Sequence, residues 1–141
     1  ARLIVLGAIT ALVVAVSTGV TALRFTPASW PVFVSAFVLT GAIYVAIGAL
    51  AGAVLDKLAA TYLILFVVMA DFGVVQNPMF GDGAPDGWAT ALPAYGPVRL
   101  MVDGAFSNGF HAFGALAYSL GWAAALGTAV FIVLRRSVEA K

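Results

Sequence analysis

The stretch WPVFVSAFVLTGAIYVAIGALAGAVLDKLAATYLILFVVMADFGVVQ, residues 30–76, decides the fold class. It consists of two apolar runs joined at Asp56-Lys57, and no charge interrupts the first of them. About 20 apolar residues in a helix cross the roughly 30 Å hydrocarbon core of a bilayer. Residues 30–55 and 58–76 both meet that length, and Asp71 is the one charge within the second. Pro31 lies in the first helical turn, where a missing N–H costs nothing. Outward from this pair, residues 3–23 form another uncharged run between Arg2 and Arg24, and residues 110–134 a further one ending at Arg135-Arg136. The expectation is an all-α membrane protein with four transmembrane helices in a single transmembrane domain, residues 1–141.

Composition agrees. Hydrophobic residues make up 63% of the chain and charged ones 9%, against about 25% charged in a soluble domain. Mean hydropathy is +1.08. Seven Lys/Arg against six Asp/Glu leave a net charge of +1, too little for a nucleic-acid face, so no nucleic-acid partner is expected. Cysteine is absent and His111 is the single histidine, so no metal or other cofactor is expected.

The few cations set an orientation. With the N-terminus inside, Arg2, Lys57, Arg135, Arg136 and Lys141 are cytoplasmic, and Arg24 and Arg99 are outside. That follows the positive-inside rule. Both termini are then in the cytoplasm, the chain is multi-pass in the cytoplasmic (inner) membrane, and the long connection 77–109 faces out.

Small residues recur at helical spacing: Gly7, Ala11, Ala15 and Gly19 on the first span, Gly48 and Gly52 on the second, Gly114 and Gly121 on the fourth. In lipid such faces let backbones approach, so they are expected to be packing faces of a tight bundle or an oligomer. The hydroxyls within spans, among them Thr40, Tyr44, Thr61 and Ser119, are expected to bond their own helix backbone. Asp71 stands apart. Some 20 Å along its helix from Leu58, it is expected in the outer third of the membrane. There it is expected to meet the outer aqueous boundary, to pair with Arg24, Arg99 or His111, or to serve a transport path. Asp71, Gln76, Arg99, Asp103 and His111 are the residues expected to line a pathway or gate. Asp71, Asp103 and His111 are also the one set that an enzyme reading would need to converge.

Pro78 ends the third helix. After a Gly/Asp/Pro-rich turn at 81–87 come the short apolar stretch 88–92 and a helix opened by Pro97, with Arg99 and Asp103 spaced to pair at i,i+4. These short helices are expected to be re-entrant or interfacial, tolerated at depth only where protein or water covers them.

The strings Leu55-Asp56-Lys57-Leu58, Asp71-Phe72-Gly73-Val74-Val75-Gln76-Asn77-Pro78-Met79-Phe80 and Leu92-Pro93-Ala94-Tyr95-Gly96-Pro97-Val98-Arg99, in this span layout, resemble the C-terminal half of type 2 ABC transporter permeases. The resemblance runs over nearly the whole chain. It implies an exporter working by alternating access, with the substrate path between two permease halves or a homodimer, in contact with membrane lipid. Such permeases have six spans, and the first two have no counterpart here. No G-x-x-x-x-G-K-[ST] string is present, so the resemblance places ATP hydrolysis on a separate ATP-binding subunit, and this chain is not expected to be an enzyme. Two other readings stay open: an accessory subunit of a larger membrane complex, and a membrane enzyme, for which the polar inventory is thin.

Overall fold

Ser29-Trp30-Pro31 begins the first long helix, α1 (Trp30–Val54), with extended backbone at Ser29 and proline in the first turn. Leu55 leaves the helix in extended conformation, and Asp56 at once caps the next one. Its Oδ1 accepts the N–H groups of Leu58 and Ala59 at 2.9 and 3.0 Å, which relieves two orphan donors of α2 (Lys57–Val68). So tight a turn forces α1 and α2 to run antiparallel, and Gly48 of α1 lies against Ile64 of α2. The structure, a computed structural model, describes residue 16 and residues 25–77 and 87–139.

α2 does not end at Val68. It continues as a π-helix over Met69–Val75, marked by the Gln76 N–H bonding back five residues to the Asp71 carbonyl at 2.9 Å. A single 3-10 turn, Ala89–Ala91, leads to α3 (Tyr95–Phe106), and α4 (Phe113–Glu139) is the last described element.

Among the described residues, three helical stretches are long and apolar enough to cross a membrane: Trp30–Val54, Lys57–Val75 and Phe113–Ser137. Large apolar side chains stand exposed along them, with Val45 72% and Phe66 73% accessible. In water a helix apolar all round would be buried. Here the exposed side chains make a surface suited to lipid. The protein is an all-helical membrane protein among its described residues. The expected span 3–23, with Gly7, Ala11, Ala15 and Gly19, lies outside the described residues.

The last helix departs from expectation. It starts at Phe113, not Phe110, and passes through Arg135-Arg136 to Glu139. A charge ends an apolar run but not a helix, and beyond the lipid the backbone stays helical. Arg135 and Glu139 pair there at 2.9 Å, one turn apart and both exposed.

The core is centred on α3. This short helix packs against both α1 and α4, and Gly96, Pro97, Leu100, Gly104 and Ala105 are buried on it. Its contacts explain where glycine is needed. A Cβ at Gly104 would lie 2.6 Å from the backbone N of Phe33, and one at Gly96 would run into Ser119 Oγ. By contrast, a Cβ at Gly52, Gly114 or Gly121 would meet nothing within 4 Å among the described residues, whereas one at Gly48 would meet Ile64. Within the described residues, close approach is needed where α3 is wedged between two other helices.

Candidate functional site

Asp71 sits in the π-helical turn and is only 5% exposed. Its Oδ2 accepts two hydrogen bonds, from the Tyr44 hydroxyl at 2.7 Å and from the Ala94 backbone N–H at 3.0 Å. One turn on, Gln76 is also buried, and its Nε2 donates to the Ala89 carbonyl at 2.6 Å. Two polar side chains of the second long helix thus grip residues 89–94 by main-chain atoms.

The position of Ala94 gives the first of these contacts its meaning. Ala94 is the residue at which α3 begins, and it makes no side-chain capping bond of its own. The Asp71 carboxyl takes an N–H there, so a cap that normally comes from the same chain segment comes from another helix. A carboxyl also suits the positive end of the helix dipole. At the other end of α3, the Gly104 and Ala105 carbonyls accept the N–H groups of Ser29 and Ala28 at 2.8 and 3.1 Å. Both ends of the short helix are therefore satisfied by neighbouring segments.

The partner of Asp71, Tyr44, lies about 21 Å along α1 from Trp30 and about 15 Å from Val54, at 1.5 Å per residue, so Asp71 is bonded to the middle portion of α1. The expected ion pairs with Arg99 or His111 are not formed, and Arg24 lies outside the described residues. Neutral donors take their place. A second oxygen, Asp71 Oδ1, is buried with no hydrogen-bond partner among the described residues.

Arg99, Asp103 and His111 form a separate group. They line an open cleft of about 490 Å³ between α3 and the start of α4, together with Tyr95 and Ser107. Arg99 and Asp103 do not pair, contrary to their i,i+4 spacing; the one ion pair among the described residues is Arg135–Glu139. Each has another neighbour. The Arg99 guanidinium lies over the Tyr95 ring, 5.7 Å from its centroid, and the Asp103 carboxylate accepts the His111 backbone N–H at 3.1 Å. Tyr95 is in turn held edge-on to Tyr118 of α4.

Asp71 meets the start of α3 while Asp103 and His111 meet its end, roughly 13 Å further along the axis. The acid–base convergence that an enzyme reading required does not occur. Among the described residues no three His, Cys, Asp or Glu side chains are grouped to hold a metal ion.

Sequence reasoning singled out Asp71 and Gln76 but missed what they hold. Thr40, Thr61 and Ser119 do bond their own helix carbonyls. Tyr44 does not, because its phenol reaches too far from its backbone to turn back. The stem length of a tyrosine in mid-span was the available signal. Comparison with known protein families, with curated proteins and with solved structures found no match to this chain.

Proposed function

We propose that this chain is the C-terminal part of the membrane-spanning subunit of an ATP-driven exporter of the type 2 ABC permease class. The observation that carries the reading is α3, a short helix seated by its backbone ends between spanning helices and placed just before the last of them. In this reading the turn at Ala89–Ala91 and α3 are re-entrant, entering from outside to the depth of Asp71 and returning to the level of Trp30. Residues 3–23 supply a fourth span, and both termini lie in the cytoplasm of the inner membrane.

Function then follows from mechanics and not from bond chemistry. ATP is hydrolysed on a separate subunit beneath the membrane, and its closure rocks two permease halves between inward- and outward-open states. Asp71 and Gln76 bind α3 and its lead-in to the second long helix, so these elements move as one body. Arg99, Asp103 and His111 lie at the outer mouth. The exposed stripe Gly114, Ala117, Gly121 and Ala125 on α4 suits close contact with a second half or a second copy.

The test is purification with each ATPase encoded beside this chain, followed by ATP turnover in liposomes. A co-purifying ATPase whose turnover depends on this chain supports the reading; failure with every neighbouring ATPase overturns it. The same stripe on α4 favours one other reading, an accessory subunit packed into a larger membrane complex. That reading expects co-purification with a large membrane assembly and no change in export on deletion.

A further inference from the structure

We propose that the cleft between α3 and α4 binds a zwitterionic phosphoethanolamine group, with Arg99 holding the phosphate and Asp103 the ammonium. Arg99 is half-buried, makes no ion pair among the described residues, and turns its face to Tyr95. Its N–H donors therefore remain available in a fork that matches phosphate oxygens. Asp103 uses one oxygen for the His111 N–H and keeps the other free among the described residues. Two opposite charges one helical turn apart, both opening on the same cleft of about 490 Å³ and not joined to each other, present one cationic and one anionic contact side by side. A ligand with a single charge would satisfy one and be repelled by the other. The two-carbon bridge of ethanolamine sets phosphate and ammonium at a spacing comparable to neighbouring helix positions, roughly 5–6 Å between Cβ atoms.

The location fits the chemistry. The cleft lies at the end of the molecule where α4 begins, and the end of α3 that flanks it is bonded to the residues just before α1. Two spanning helices start at that level, which is where lipid headgroups lie. Val102, Ala112 and Ala115 give the cleft an apolar wall for the carbons of the same molecule. Binding here needs no ATPase, so the inference stands apart from the exporter reading.

The experiment uses the full chain in nanodiscs of equal parts phosphatidylethanolamine, phosphatidylcholine and phosphatidylglycerol, with the retained lipid identified by native mass spectrometry. Phosphatidylethanolamine is expected to be retained about ten-fold over each of the others, the ratio a charge-assisted contact sets. Phosphatidylcholine lacks ammonium N–H donors for Asp103, and phosphatidylglycerol lacks the cation. Arg99→Gln is expected to lower retention of both phosphatidylethanolamine and phosphatidylglycerol, and Asp103→Asn to remove only the preference between them. Arg135→Gln, at the far end of α4, is expected to change nothing. Equal retention of the three lipids by the unmodified chain overturns the proposal without reference to any variant. So does unchanged selectivity in both cleft variants. Free phosphoethanolamine at millimolar concentration distinguishes the source: displacement of the lipid assigns the site to the soluble zwitterion, and persistence assigns it to the lipid.

Discussion

Asp71 and Asp103 are both aspartates beside α3, and the molecule treats them in opposite ways. Asp71, at the start of α3, is buried, and its Oδ2 takes a phenol and a backbone amide. Asp103, near the other end, is half-exposed on an open cleft and leaves Arg99 unpaired one turn away. Burial accounts for the difference. A buried carboxyl is costly without hydrogen-bond donors, whereas one on an open cleft keeps other partners within reach. The buried aspartate is therefore a fastening and the half-exposed one a recognition group.

The largest expected effect tests the seat on which both aspartates depend. Gly104→Leu drives a side chain into the Phe33 backbone, which cannot yield as a flexible side chain would. Overpacking of this kind costs about 1–3 kcal/mol or more, read as a clear fall in melting temperature in detergent. Gly127→Ala, where no atom of the described residues lies within 4 Å of the added carbon, is expected to melt no lower than the unmodified chain. Equal melting of the two variants would remove the close approach of α3 to α1.

Next comes the buried fastening itself. Asp71→Ala strands the Ala94 N–H and is expected to cost about 1–3 kcal/mol. Asp71→Asn, with its carbonyl in the place of Oδ2, keeps both acceptor contacts and is expected to lose much less. If the two variants fall equally, Asp71 acts through its charge or through Oδ1, and the comparison with Asp103 loses its basis. Tyr44→Phe removes one of the two bonds and is expected to cost about 1 kcal/mol by the same melting measurement.

The smallest effect lies at the half-exposed end. Arg99→Gln and Asp103→Asn are each expected within about 0.5 kcal/mol of the unmodified chain in stability, although both alter lipid retention. A large loss of stability in either would make the cleft a structural joint and erase the contrast.

Much of the framework was legible in the residues. Runs 30–55 and 58–76 correspond to Trp30–Val54 and Lys57–Val75 within a residue or so, because proline, Asp56 and uninterrupted apolar length act locally. The start of the last helix and its end past Arg135-Arg136 were less legible, since lipid length and helix length are separate quantities. Asp71 and Gln76 were visible as polar interruptions. The Arg99–Asp103 pair, plausible from spacing, gave way to contacts from Tyr95 and His111 that spacing along one helix does not encode.

Sequence by itself determined that this chain is helical and lives in a membrane, because hydropathy and turn chemistry are properties of neighbouring residues. Only the tertiary structure decided which glycines meet a close neighbour, how buried Asp71 is and what it holds. Those depend on α3 being wedged between α1 and α4, and on a π-helical turn that brings the Asp71 carboxyl to Tyr44 and to the first amide of α3. A carboxyl's partners are set by the helices it meets, and no pattern along a single helix specifies them.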